Sequence, residues 1–505
     1  MSIRLFAPFL FIATLFGCAS ESGDSSTVAV PTTPTTISSI YPKPPSGHVG
    51  DPMPFFEDGK LNMFYLYDAR DGQVGFHPYN LMTTDNLTKW VEQGTVIPVV
   101  NDNNAIDLAL GTGSIIKDNN GLYHAFYTGF NDRNPDLPYK EIIQHATSTD
   151  NLNWIKHPED GFYGQSNDFR DPYVRYMDEF NEYWMIITTR STDSNTPILS
   201  RYTSTDLKTW VNHGTFFSDP SVDRNMECST LIKIGNYWYL SFSRQGSGNE
   251  RVLHYYFTDN LQTAGTHWKK PAQTFFDGPG QYAARIEKFN QRILVSGWVG
   301  TKAGRDSVRY DWAGNLVTHE LKQQDNGELL TAIPEEYIAF TPNAYSLKEL
   351  AHSSSTVVTE PEIQFTGSEY EYVEYSPLPD NTVRIHFTVS PRSDTNTGQY
   401  GFMFALADKN GQIKGDTKLA FDPASKKITL LVNNFSVPRS SNSIKFDLPT
   451  GEFEVTLFKE FDILTLYIDQ QVAFTARLPS IVDKPWGIFS SESELKIKGL
   501  KAYSR

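Results

Sequence analysis

The chain is predicted to be all-β, a five-bladed β-propeller followed by a C-terminal β-sandwich, and three observations predict it. The first is a repeated Ser/Thr-rich turn that carries an Asp and has a Trp close behind. It reads Thr83-Thr84-Asp85-Asn86-Leu87 before Trp90, Thr147-Ser148-Thr149-Asp150-Asn151-Leu152 before Trp154, and Thr203-Ser204-Thr205-Asp206-Leu207 before Trp210. A looser copy, Phe257-Thr258-Asp259-Asn260-Leu261, precedes Trp268. The repeat Asp residues lie 65, 56 and 53 positions apart, room for about four short strands with loops, which is one propeller blade. The second observation is a set of strand-length, aromatic-rich runs at 61–67, 122–128, 183–189 and 237–243, bounded by Gly, Asn and Asp. The third is a change of texture after Ser346. There Val383, Ile385, Phe387 and Val389 alternate with polar residues, as do Phe453, Val455 and Leu457, then Leu464, Leu466 and Ile468. Strict period two with turns such as Lys409-Asn410-Gly411 reads as half-buried antiparallel sheets.

In chain order, residues 1–18 read as a signal segment. A basic start (Arg4) and an apolar run from Leu5 to Phe16 are too short to span a bilayer and fit a secretory h-region. Leu15-Phe16-Gly17-Cys18 resembles a bacterial lipobox, so Cys18 is expected to be acylated and the protein exported and lipid-anchored to a bacterial membrane. Acylation would leave Cys228 as the one remaining cysteine, so packing rather than a disulfide must hold the fold. Residues 19–46, rich in Ser, Thr and Pro, read as an extended tether. Residues 47–345 supply four marked blades and a fifth from Asp277 onward, and 346–505 form the sandwich. No long amphipathic helix is expected.

Composition bounds the partners. The balance of 44 basic against 59 acidic residues gives a net charge of −15, which is not a nucleic-acid footprint and does not repel a neutral substrate. Aromatics at 13% suit β-packing first and sugar stacking second. No His/Cys/Asp cluster has ligand spacing, so neither a metal nor any other cofactor is expected. No pattern specifies an oligomeric state.

Three acids fall in phase with the repeat. Asp51 lies 34 residues before Asp85, Asp171 lies 35 before Asp206, and Glu227 lies 32 before Asp259. Equivalent positions on blades around one axis converge, and converging carboxylates are what glycosidic bond cleavage needs. Pro52 and Pro172 follow the two aspartates and are expected to keep each of them extended. Arg170 beside Asp171 favours its ionisation and offers donors to sugar hydroxyls. Two nearby aspartates should raise the pKa of Glu227 and keep it protonated.

Several motifs in order resemble glycoside hydrolase family 32, the β-fructosidases that include invertase, inulinase and levanase. His48-Val49-Gly50-Asp51-Pro52-Met53-Pro54 takes the place of the family's opening motif, Gly111-Thr112-Gly113-Ser114 with Tyr127-Thr128-Gly129 resembles its second-blade signature, and Arg170-Asp171-Pro172 matches its Arg-Asp-Pro. Met226-Glu227-Cys228 matches its Glu-Cys motif, Tyr282-Ala283 with Arg292-Ile293-Leu294 and Gly297-Trp298 resembles the fifth-blade signature, and Asp325-Asn326-Gly327-Glu328-Leu329 resembles the closing hairpin. The resemblance implies Asp51 as nucleophile, Asp171 as transition-state stabiliser and Glu227 as acid/base. It implies a sugar site drawn from Arg170, His48, Thr112, Ser114, Asp277, Tyr282 and Trp298. Gly50 and Met53 replace two Asn residues of the family's opening motif and His48 replaces a Trp, so the sugar contacts around Asp51 should differ.

The function implied is exo-acting, retaining hydrolysis of levan, inulin, fructo-oligosaccharides or sucrose, an oligo- or polysaccharide being the partner. Two alternatives stand beside it. One is an inverting pentosidase resembling family 43 on the same propeller, its acids about 6.5 to 9.5 Å apart instead of about 5 to 5.5 Å. The other is a non-catalytic, surface-tethered glycan binder, against which the clustering of three acids argues.

Overall fold

The computed structural model describes residues 33–70, 77–246, 251–306, 309–392, 398–409, 412–434 and 437–505. The signal segment with Cys18, the first part of the Ser/Thr/Pro stretch and the Asn410-Gly411 turn tip lie outside the described residues. The architecture is a five-bladed β-propeller followed by a β-sandwich.

Each blade begins with an inner strand: His48–Glu57, Ala109–Lys117, Phe169–Met177, Met226–Ile234 and Gln281–Phe289. In the first four blades its antiparallel neighbour is the aromatic-rich run seen in the sequence, Lys60–Asp68, Tyr123–Phe130, Glu182–Arg190 and Tyr237–Arg244 in turn, and in the fifth it is Arg292–Gly300. Consecutive inner strands pack side by side and the fifth returns to the first, closing the ring. Val49 of the first blade also bridges to Gly314 of the fifth.

The repeated turn has a physical reason. Thr84, Ser148 and Ser204 each accept two backbone N–H groups on their side-chain oxygens, from Asn86 and Leu87, Asp150 and Asn151, and Asp206 and Leu207. Asn86, Asp150 and Asp206 then accept two more each. These side chains replace the ladder hydrogen bonds lost at the turn. In the first two copies the following Trp90 and Trp154 donate Nε1–H back to the carbonyls of Leu87 and Asn151.

All five inner strands carry one extra residue at the same height. The register breaks between Gly50 and Met53, Gly111 and Gly113, Arg170 and Tyr173, Glu227 and Thr230, and Tyr282 and Arg285. The first residues in the breaks are Asp51, Thr112, Asp171, Cys228 and Ala283, four of them at positive φ (23°, 59°, 53° and 51° for Asp51, Asp171, Cys228 and Ala283). Such a conformation costs roughly 1 to 3 kcal/mol for a non-glycine residue and concentrates at functional sites. The expectation that Pro52 and Pro172 keep the aspartates extended is therefore corrected. Proline disfavours the right-handed helical region for the residue before it, and the bulge draws that residue into the left-handed one.

The sandwich packs an eight-stranded sheet on a seven-stranded one. Val383, Ile385, Phe387 and Val389 face its core, while Arg384, His386 and Thr388 are partly exposed, as the alternation predicts. Two boundaries move. Thr35–Ser38 forms a strand on the outer edge of the first blade, and Ile40 and Tyr41 are buried in a cluster shared with Phe458, Ile463 and Tyr467 of the sandwich. The apolar side chains of 37–41 dock there, so the tether read as 19–46 gives way to folded chain by Thr35. Asn343–Tyr345 pairs with Glu494–Ser504 in the sandwich sheet, after a short helix at Glu335–Phe340.

Candidate active site

The bulges create two tiers of side chains at one end of the central channel. One tier holds the bulge residues Asp51, Thr112, Asp171, Cys228 and Ala283. The other holds the residues just before them, Gly50, Gly111, Arg170, Glu227 and Tyr282. Asp51 and Asp171 are thus true equivalents, as their spacing implied. Glu227 is one residue out of phase, and Cys228 takes the bulge position on its blade. Sequence spacing missed this because loop lengths between blades absorb a one-residue offset without trace.

Asp51 is fixed at both oxygens. Thr112 donates its hydroxyl to Oδ2 at 2.7 Å and Trp298 donates Nε1–H to Oδ1 at 2.9 Å. Asp171 is buried. The backbone N–H of Cys228 donates to its Oδ2 at 2.9 Å, and its own N–H donates to Thr128 Oγ1 at 3.0 Å. Burial lifts the Asp171 pKa above the ordinary carboxylate value; Arg170 pulls it down, as the sequence suggested, but burial outweighs it.

Glu227 sits between two donors. Arg170 donates to Oε1 through Nε and a terminal nitrogen at 3.2 and 3.1 Å, and the Tyr282 hydroxyl donates to Oε2. Burial is the main force that pushes the Glu227 pKa up to about 7, with Asp171 and Asp51 adding to it and Arg170 and Tyr282 opposing. The expected direction holds, but desolvation leads rather than the aspartates. A carboxyl group held protonated near neutrality beside an oriented carboxylate can give a proton to a leaving group while its neighbour attacks.

Side chains that sequence reasoning missed complete the site. Glu141, buried on the second blade, takes the other terminal nitrogen of Arg170 at 2.8 and 3.0 Å, and Asp168 takes that same nitrogen at 2.9 Å. Three acidic side chains, Glu141, Asp168 and Glu227, therefore aim one guanidinium. Arg251 lies over the Tyr282 ring at 3.8 Å and the Trp298 ring at 4.9 Å. Trp312 makes an edge contact with Trp298 and overlies His77 at 4.3 Å between ring centroids. A Cβ on Gly50 would meet the Trp312 ring at 2.4 Å, so the Gly that replaces the family's Asn makes room for an aromatic wall from another blade. Only the Gly50 departure could have signalled it.

Three expected sugar contacts are placed elsewhere. The Ser114 hydroxyl donates to the Pro172 carbonyl and accepts from the Val174 N–H, both at 2.9 Å, so it clamps blade two to blade three. Asp277 is buried at the seam of the two domains, where Oδ2 meets His319 Nε2 at 2.8 Å and Oδ1 accepts the Thr475 N–H. It opens the fifth blade's segment, but the sandwich backbone claims it. His48 is surrounded by Arg70, Lys43, Asp68 and Arg477, none of them a site acid; burial, aided by Arg70, pushes its pKa down to about 4. Met53 is in the core and its sulfur accepts the Gly113 N–H. Arg170, Thr112, Tyr282 and Trp298 do join the acids. Among the described residues no group of three or more His, Cys, Asp or Glu side chains is placed to hold a metal ion.

A propeller of five blades with oriented acids at the mouth of its channel, joined to a sandwich, defines a glycoside hydrolase. The description "Glycosyl hydrolases family 32 N-terminal domain" matches residues 42–334, and the chain belongs to that family, as a divergent member. It is 23% identical to a sucrose-6-phosphate hydrolase of Escherichia coli over 62% of this chain and 69% of that protein. The fold is similar to a family 32 β-fructofuranosidase of Bombyx mori (TM-score 0.68, 19% identity, 92% of each chain). It is equally similar to an exo-inulinase of Aspergillus awamori (TM-score 0.69, 16% identity, 92% of this chain and 98% of that one).

Proposed function

We propose that this chain hydrolyses β-fructofuranosides such as sucrose, fructo-oligosaccharides, inulin or levan from the chain end, with retention at the anomeric carbon. The observation that carries the reading is the asymmetry of two carboxyl groups in one site. Asp51 accepts hydrogen bonds at both oxygens, and Glu227 is held protonated up to about pH 7. In the proposed first step an Asp51 oxygen bonds to the anomeric carbon, the glycosidic bond breaks, and the Glu227 proton goes to the departing oxygen. Glu227, now a carboxylate, then takes a proton from water, whose oxygen displaces Asp51 and releases the sugar. Arg170 and Asp171 are assigned to sugar hydroxyls and to charge at the anomeric centre. The names of the similar proteins, a β-fructofuranosidase, an exo-inulinase and a sucrose-6-phosphate hydrolase, support the sugar and the mode.

Purified protein incubated with sucrose, inulin, levan, arabinan and xylan tests the reading by product chromatography. Fructose as the sole early product from a fructan supports it. Arabinose or xylose, or longer fructan fragments first, would sink the sugar or the mode. Export with acylation at Cys18 belongs to the same proposal, resting on Leu15-Phe16-Gly17-Cys18. Incorporation of labelled palmitate that survives Cys18→Ala would overturn it.

A further inference from the structure

Past the bulges the inner strands continue toward the opposite end of the channel and line a cavity of about 290 Å³. Its walls include Met53, Gly113, Tyr173 and Arg285, the residues that resume pairing after four of the bulges. Nearer the far end stand Lys117, Arg175 and Glu287.

Arg285 is the anomaly. It is 2% exposed, and none of its three guanidinium nitrogens finds a hydrogen-bond partner among the described residues. The Tyr173 ring lies under it, with the ring centroid 5.6 Å away, and Tyr79 lies within its electrostatic reach. The other charges of the cavity are accounted for. Lys117 is bound to Glu57 and to the Tyr123 hydroxyl, and Arg175 lies within electrostatic reach of Glu287 and Tyr173. Asp171 lies within reach of the Arg285 charge, but its Oδ2 is turned to the Cys228 N–H. A buried guanidinium without an acceptor is strongly disfavoured, and five donors in a fixed fork suit an anion that can sit in the channel.

We propose that Arg285 holds a small monovalent anion of the halide class in the central channel, on the side of the guanidinium away from the acids. One unmatched positive charge calls for one negative charge. A dianion would bring a second charge that Lys117 and Arg175, already engaged, are not free to meet. A monatomic ion is met by the one guanidinium fork, whereas a phosphate or sulfate carries more acceptor oxygens than that fork can satisfy. The anion is a structural ligand, distinct from the sugar site, and its presence does not depend on the proposed substrate.

Crystals of the full chain soaked in bromide test this by anomalous diffraction. The expected result is a bromide peak within about 3.5 Å of the Arg285 nitrogens. A wild-type map without bromide at that guanidinium overturns the proposal, wherever else the ion is found. In solution, chloride replaces methanesulfonate at constant ionic strength while the melting temperature is followed. The melting temperature should rise by about 1 to 3 °C for each tenfold increase in chloride above its dissociation constant. Arg285→Met should abolish this response and Arg285→Lys should retain part of it. An identical response in Arg285→Met overturns the proposal, and if that variant fails to fold, the wild-type bromide map decides alone. Both readouts are independent of catalysis, so failure of the fructosidase reading leaves them intact.

Discussion

Arg170 places two of its nitrogens, at 3.2 and 3.1 Å, on the single oxygen Oε1 of Glu227 and leaves Oε2 to the Tyr282 hydroxyl. Both donors favour the ionised form of Glu227, and burial still prevails, holding it protonated up to about pH 7. The proposed acid is thus set by a contest between desolvation and two identifiable side chains, each of which can be removed.

The first prediction concerns pH. A general acid must carry its proton, so kcat/KM should fall as pH rises through about 7, where Glu227 ionises. Because the Tyr282 hydrogen bond lowers that pKa, Tyr282→Phe should move the alkaline limb upward by roughly half to one pH unit. A pH–rate profile of the variant that moves down, or does not move, contradicts the assignment.

Asp51 offers a second test through its donors. Thr112→Val removes the hydroxyl from Oδ2 with little change of volume, and Trp298→Phe removes Nε1–H from Oδ1. A hydrogen bond to a charged group contributes about 1.5 to 3 kcal/mol, so each variant should lose roughly 10- to 150-fold in kcat. Steady-state kinetics at saturating sucrose and inulin measure it.

Gly50 and Trp312 should answer differently. Trp312 is 37% exposed and has space to swing away from an added methyl group. Gly50→Ala should therefore leave the melting temperature nearly unchanged while raising KM severalfold, as the aromatic wall shifts. An unchanged KM would show that Trp312 does not meet substrate.

At the seam, the buried chain Asp277–His319–Tyr467 joins the fifth blade to the sandwich, with His319 at 2.8 Å from each partner. Removing one member of a buried charged network costs about 3 to 5 kcal/mol. Asp277→Ala should lower the melting temperature by several degrees while the folded protein keeps its kcat/KM. Loss of activity without loss of stability would return Asp277 to the sugar site.

The sequence revealed what is periodic and little of what is contributed across blades. Alternation at Val383–Val389 exposed the half-buried sandwich because one face of each strand meets water. The blade repeat was visible because its Ser, Thr and Asp residues satisfy backbone N–H groups at each turn. Asp51 and Asp171 were correctly placed as equivalents. Glu227 was misplaced by one residue, and Glu141, Arg251 and Trp312 were missed. Those three reach the site from other blades, or from loops between strands, and no local period marks them. Ser114 was assigned from a motif and Asp277 from the family resemblance, but what a hydroxyl or carboxylate binds is decided by the neighbouring blade or domain.

The five aligned bulges make the rim of the channel a carousel of interchangeable sockets. Each socket turns one side chain toward the centre on a frame the other blades hold in place. Asp51, Thr112 and Asp171 occupy three with polar groups, whereas Cys228 and Ala283 occupy two with chemically quiet ones. Both are buried at positive φ against Tyr282 and Trp298, so a larger side chain at either would crowd the two rings that hold Glu227 and Asp51.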